Sequence, residues 1–172
     1  MATSAQSSAA TSKSKTTATG PDAIALLKAD HREVEDLFEQ YEKARADSRK
    51  TELSSKICLA LKVHTRIEEE IFYPASREVL SDKQEEMVDE AVVEHQAAKE
   101  LIAEIESMSV GDDLYDAKIK VLSEQIEHHV GEEEKEYFPA VKKTDLDLKA
   151  LGARMQARKD ELMAELGGKT AH

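Results

Sequence analysis

The chain has a single cysteine, Cys58, so no internal disulfide can form and a covalently stapled secreted scaffold is excluded. Cys58 sits in the apolar run Ile57 to Leu61 and reads as a small buried hydrophobe in a reducing compartment, which predicts a cytoplasmic location. No stretch approaches the roughly 18 consecutive apolar residues that a bilayer span needs, so membrane insertion is not expected. Residues 1–20 carry Lys13 and Lys15 but no apolar segment, so a secretory leader is not expected either. Positive charge is in deficit: 24 Lys and Arg stand against 36 Asp and Glu, a formal charge of −12 that repels nucleic-acid phosphates. Two basic clusters, Lys142-Lys143 and Arg154 to Lys159, do not reverse this. The sequence also lacks a DNA-binding helix pair, a Gly-rich nucleotide loop, and a Ser or Cys nucleophile with a base in a recognisable motif. Strand-like alternation is missing throughout, which leaves an all-α chain.

The 172 residues suffice for one domain with a real core and are too few for two. Residues 1–20, mostly Ala, Ser, Thr, Gln and Lys, are expected to form a disordered tail. Gly20-Pro21-Asp22 opens a first helix on which Ile24, Leu27, His31, Val34, Phe38 and Tyr41 recur at intervals of three and four. A break at Ala46-Asp47-Ser48 leads to a second helix carrying Ile57, Leu61, His64, Glu68 and Phe72, interrupted near Pro74. Ser81-Asp82-Lys83-Gln84 has the form of a capping box, and it starts a third helix with Val88, Val92, His95 and Ile102 inward. After Gly111-Asp112-Asp113 a fourth helix runs through Ile119, Leu122, Ile126, His129 and Glu133 to Pro139. A shorter fifth begins near Asp145, packs through Leu148, Leu151, Met155 and Leu162, and ends at Gly167-Gly168. The economical fold is an antiparallel up-down-up-down four-helix bundle over residues 21–141, with residues 142–172 packed on it as a C-terminal helix and tail.

One phrase is written twice. His64 is followed by Glu68 and then Phe72-Tyr73-Pro74; His129 is followed by Glu133 and then Tyr137-Phe138-Pro139. In each copy the Glu comes four residues after the His and the Pro ten after it, so the chain carries an internal duplication in register. A lone His precedes each phrase, His31 by 33 residues and His95 by 34. All four His occupy apolar stripes, the placement that directs a side chain into a bundle interior. The i,i+4 spacing stacks each carboxylate one turn from its imidazole on the same face.

Any one of these His, taken alone, is more often a packed and hydrogen-bonded core residue than a ligand. Four on four helices are a different matter. Burying four imidazoles and two carboxylates without an ion would leave several polar groups unpaired, at about 1–3 kcal/mol each. Imidazole with carboxylate suits iron, manganese or zinc, and carboxylates able to bridge favour a non-haem di-iron or di-manganese pair.

These residues are arranged as in hemerythrin-like proteins of the His-His-Glu cation-binding type, which the chain resembles from about Ile24 to Val141. Asp30-His31 with Leu37-Phe38, Glu69-Glu70 before Phe72-Tyr73-Pro74, and Glu94-His95 with Leu101 match the family's flanking words. The Leu151-Gly152 and Arg154-Met155 wording resembles a C-terminal extension of bacterial members. The resemblance implies two iron ions, oxo- or hydroxo-bridged, held by His31, His64 with Glu68, His95, and His129 with Glu133. It implies two His on each iron, both Glu bridging, and one open position on each. Oxygen-carrying members have a further His where this chain has Lys99, so reversible O2 storage is not expected. The functions implied are encounters with O2, peroxide or nitric oxide in sensing, buffering or stress protection, by a monomer or weak homodimer. The alternative is an enzyme that decomposes peroxide or oxidises ferrous iron, and a further one is a helical adaptor held together by its metal. Lys99 is expected to reach solvent. Glu69, Glu70, Glu132 and Glu134 are expected to form a solvated acidic rim, and His128 to sit at a helix seam or in water. Tyr41, Tyr73 and Tyr137 are candidates to supply a proton or an electron, and the terminal His172 has no role.

Overall fold

The computed structural model describes residues 19–168; the tail expected over residues 1–20 lies, but for its last two residues, outside them, as does His172. Among the described residues seven α-helical segments build five rods. The first is α1 (Ala23–Lys43), and α2 (Asp47–Ile67) continues through a π-helical turn (Glu68–Phe72) into α3 (Tyr73–Arg77). The third rod is α4 (Asp82–Glu106), and α5 (Tyr115–Glu132) continues through a second π-helical turn (Glu133–Tyr137) into α6 (Phe138–Lys142). The last is α7 (Leu148–Gly167). Packing of α1 on α2, α2 on α4, α4 on α5 and α5 on α1 closes a four-membered antiparallel ring, and α7 lies across α1 and α2. No described helix is long and apolar enough to cross a membrane.

The caps explain where the rods begin. Asp22 Oδ1 accepts the Ala25 amide at 2.8 Å, and Asp147 Oδ1 accepts the Ala150 amide at 3.0 Å, each satisfying a donor that the first helical turn leaves free. At α4 the capping box forms, with Gln84 Oε1 accepting the Ser81 amide at 3.1 Å. The turn into α5 places Gly111 at φ 95° and Leu114 at φ 69°, the one described non-glycine residue in the left-handed region.

The second and fourth rods do not break at their prolines. Pro74 has no N–H to offer the Glu70 carbonyl, and its ring crowds the preceding turn. The turn widens instead, so that the Tyr73 amide donates to the Glu68 carbonyl five residues back, and the Phe138 amide does the same to Glu133 before Pro139. Helix direction is kept while the residues that follow shift around the axis. Both widened turns begin on the Glu of the duplicated phrase.

The inward stripes lie as the three-four spacing predicts, with one exception: Val92 is exposed, and Ala91 and Ala98 fill its place on the α4 core face beside Val88, His95 and Ile102. Two apolar clusters result. One joins Leu27, Ile67, Phe72, Val88 and Phe138 to Leu151, Met155 and Leu162 of α7. The other, at the far end, joins Phe38, Leu53, Ile57, Ile102, Leu122 and Ile126. A polar layer lies between them. The seat of α7 depends on Gly152, where a Cβ would stand 2.5 Å from the Pro21 carbonyl oxygen and 2.7 Å from the Ala23 nitrogen.

Candidate metal centre

The polar layer holds His31 from α1, His64 from α2, His95 from α4 and His129 from α5, with Glu68 and Glu133 entering from the two π-helical turns. All six are buried. The imidazoles pair edge to face, His31 with His64 at 4.9 Å between centroids and His95 with His129 at 4.7 Å. Each carboxylate stands between the two pairs. Glu68 Oε2 is 3.3 Å from His64 Nε2 and 3.2 Å from His95 Nε2, while Glu133 Oε2 is 3.2 Å from His31 Nε2 and 3.5 Å from His129 Nε2. Two overlapping donor groups emerge, one of His31, His64, Glu68 and Glu133, the other of Glu68, His95 and His129. Within each, one donor atom per residue lies within 4.8 Å of all the others.

The layer is not satisfied by the protein alone. His31 Nε2, His64 Nε2, Glu68 Oε1 and Glu133 Oε2 are buried and make no aligned hydrogen bond, although His31 Nε2 and Glu133 Oε2 stand only 3.2 Å apart. At about 1–3 kcal/mol for each such group, this is a large deficit for one layer of a small domain, and cations between the imidazoles and carboxylates would cancel it. Burial, then the neighbouring Glu133 charge, pushes the Glu68 carboxyl up. Burial opposes the Glu133 charge too, but the imidazoles of His129 and His31 outweigh it and hold that carboxyl down. Two carboxylates this close do not both ionise without compensating positive charge. The donor chemistry, nitrogen and oxygen with no sulfur, fits iron, manganese or zinc.

Behind each imidazole stands a carboxylate. Glu134 lies 2.9 Å from His31 Nδ1, Asp30 lies 3.4 Å from His64 Nδ1, Glu69 lies 3.0 Å from His95 Nδ1, and Glu94 lies 2.6 Å from His129 Nδ1. A carboxylate there keeps the proton on Nδ1 and leaves the Nε2 lone pair for the interior. Each carboxylate is in turn held by a base: Glu134 by Arg32, Asp30 by Lys159, Glu69 by Lys99 at 2.6 Å, and Glu94 by His128 at 3.3 Å. The hydrogen bond to His95, with help from Lys99, holds the Glu69 carboxyl at about 2. Contact with His129 lowers that of Glu94 in the same way.

This arrangement corrects two expectations. Glu69 and Glu134 do not belong to a solvated rim; they orient His95 and His31, whereas Glu70 faces Arg158 and Arg66, and Glu132 faces His128. Lys99 does not end in solvent but on both oxygens of Glu69. The four orienting carboxylates were missed as such, although the register carries them. Asp30 and Glu94 each precede a lone His by one residue, and Glu69 and Glu134 each follow a paired His by five.

The three tyrosines separate. Tyr73 Oη lies 3.0 Å from Glu133 Oε1, 3.3 Å from Glu68 Oε2 and 3.2 Å from His95 Nε2, inside the layer. Burial, then the charges of Glu68 and Glu133, raises its pKa well above the ordinary phenol value, so it keeps its proton. Tyr137 bonds Ser76, and Tyr41 bonds Asp116 at 2.6 Å at the far end of the bundle. The duplication is broken here: Phe138, the counterpart of Tyr73, stacks on His31 at 5.8 Å and offers no hydroxyl. His128 is exposed and touches Glu94 and Glu132.

Comparison with known proteins agrees with this geometry. Residues 22–141 match the hemerythrin HHE cation-binding domain family. An uncharacterized hemerythrin-like protein of Schizosaccharomyces pombe is 25% identical over 114 residues, covering 66% of this chain; the chain spans little more than half, 56%, of that relative's length. The crystal structure of a hemerythrin HHE cation-binding domain-containing protein from Mycobacterium kansasii superposes with a TM-score of 0.71 at 24% identity, covering 85% of this chain and 90% of that one. At that identity the likeness is one of fold.

Proposed function

This chain belongs to the hemerythrin HHE cation-binding family, and on that premise we propose that it is a non-haem di-iron protein that engages O2, peroxide or nitric oxide. Its role in this reading is sensing, buffering or stress protection. The observation that carries the reading is the buried layer in which four Nε2 atoms and two carboxylates converge and four of their polar atoms make no aligned hydrogen bond. His31 and His64 would hold one iron, His95 and His129 the other, with Glu68 and Glu133 shared between them and an oxo or hydroxo bridge completing the pair. Two irons in such a set supply one-electron redox chemistry and an open position for a small ligand.

The chain's own residues do the rest. Asp30, Glu69, Glu94 and Glu134 fix the four imidazole tautomers, and the two apolar clusters above and below the layer restrict bulk water. Lys99 is held on Glu69, so no fifth imidazole is added on α4, and the reading is of brief encounters with O2 and not of storage. Residues 21–141 form the metal-binding unit in this reading, with α7 packed on it. The partners are small molecules, with no nucleic acid or membrane, and the protein acts in the cytoplasm as a monomer or weak homodimer.

One observation favours the enzymatic alternative, turnover of peroxide or oxidation of ferrous iron. Tyr73 Oη lies inside the layer, 3.0 Å from Glu133 Oε1, where the proton it keeps can donate a hydrogen bond to a bound ligand. Anaerobic reduction followed by rapid mixing with O2, peroxide and nitric oxide, with charge-transfer absorption recorded, separates the readings. Adduct formation without reversible O2 release is expected. Release of O2 when the gas is removed would restore the carrier reading, and sustained peroxide turnover with the centre intact would make the protein an enzyme.

A further inference from the structure

A pocket of about 370 Å³ runs inward between α1, α2 and α7 to His31, His64, His95 and His129. Its walls are aliphatic, formed by Val34, Leu37, Leu61, Ile126 and Val130. Its mouth is marked by the exposed side chains of Lys56 and Met163, and Lys159 stands beside them. The helix that forms this outer wall, α7, lies beyond the residues 22–141 that match the family.

Size argues against a diatomic as the only occupant. Two ions and a bridging atom, at roughly the 30 Å³ share of a liquid water each, leave well over half of the 370 Å³. A dry apolar cavity of about 150 Å³ holds benzene, or roughly 25 Å³ per ring carbon, so the remaining space suits about ten non-hydrogen atoms. The walls and mouth hold no free charge to fix an ion: Lys159 is committed to Asp30 and Lys56 to Glu52 at 2.6 Å, and Glu33 at the rim repels anions, so an anion's attraction here is to the metal alone.

We propose that this pocket binds a neutral, mainly apolar organic molecule of about ten non-hydrogen atoms, such as a bicyclic aromatic or a medium-chain alcohol, beside the metal centre. The inference goes beyond the reading above, which needs room only for a small inorganic ligand, and it rests on the pocket's walls and not on oxygen chemistry. Failure of either therefore leaves the other standing.

The test is isothermal titration calorimetry of the metal-loaded protein as purified, with indole, 1-octanol and benzenesulfonate, an anion that ligates iron poorly. Indole and octanol are expected to bind saturably at one site, and benzenesulfonate at least roughly tenfold more weakly. Ala60→Phe places a ring in the pocket and is expected to weaken indole roughly tenfold or more, while Val121→Phe, on the exposed face of α5, leaves binding unchanged. Should Ala60→Phe fail to fold, crystals of the unaltered protein under xenon pressure decide the matter, with xenon expected between Leu61 and Ile126. No saturable binding of indole or octanol, benzenesulfonate binding as tightly as indole, undiminished binding by folded Ala60→Phe, or no xenon in the pocket would each overturn the proposal.

Discussion

Glu69 and Glu70 are adjacent in sequence and opposite in role, and Glu69→Ala compared with Glu70→Ala isolates what the orienting carboxylates contribute. Glu69 lies 3.0 Å from His95 Nδ1 and 2.6 Å from Lys99 Nζ, while Glu70 reaches only Arg66 and Arg158 on the outside. A hydrogen bond to a charged group contributes about 1.5–3 kcal/mol. Loss of a carboxylate behind a metal-binding imidazole weakens metal affinity about 10–100-fold, which is about 1.4–2.7 kcal/mol, so two independent scales agree. Glu69→Ala also leaves the Lys99 ammonium without its partner, half-buried beside His95. The expected outcome is a 10–100-fold loss of iron affinity for Glu69→Ala and a change of less than about threefold for Glu70→Ala, measured by competition with a chelator of known affinity. Equal losses in the two variants would refute the assignment of Glu69 to His95.

Removal of the metal by chelation is expected to lower the melting temperature reversibly, because binding free energy here is partly folding free energy. Gly152→Ala forces a Cβ against the Pro21 carbonyl and the Ala23 nitrogen and should cost about 1–3 kcal/mol in a urea titration, by lifting α7 from the start of α1. Burial, then Glu106, pushes the Cys58 thiol up to about 12, so at neutral pH it should resist thiol reagents in the folded protein and react fully once unfolded. Hydrogen bonds from Lys50 and Tyr41 hold the Asp116 carboxyl below its ordinary value. Its stabilising contribution is therefore present above about pH 4 and lost as the pH falls through the folded value, so Asp116→Asn should destabilise at about pH 7, by an amount that shrinks as the pH is lowered below about 4.

The sequence displays the bundle because each stripe is spaced for one face of a helix, and it displays the candidate ligands because the His-to-Glu and His-to-Pro offsets repeat. Val92 misled because it and Ala91 are adjacent on a helix that turns about 100° per residue, and hydrophobicity alone does not choose between them. The prolines announced a disturbance, but whether a helix breaks or widens depends on the packing that holds its two halves in line. Glu69 and Glu134 were hidden inside runs of three glutamates, where one residue of rotation separates a candidate ligand, an orienting carboxylate and a surface charge. The end point of Lys99 followed from none of its neighbours in sequence, since its partner lies on another rod.

The central claim is a centre of two irons shared by the two duplicated halves. Its most direct test is the metal content per chain of protein expressed in iron-replete medium and purified without added metal. The account predicts two irons per chain, falling in both Glu68→Ala and Glu133→Ala and unchanged in Glu132→Ala. A single ion per chain, or zinc at full occupancy in protein never exposed to added zinc, would contradict it.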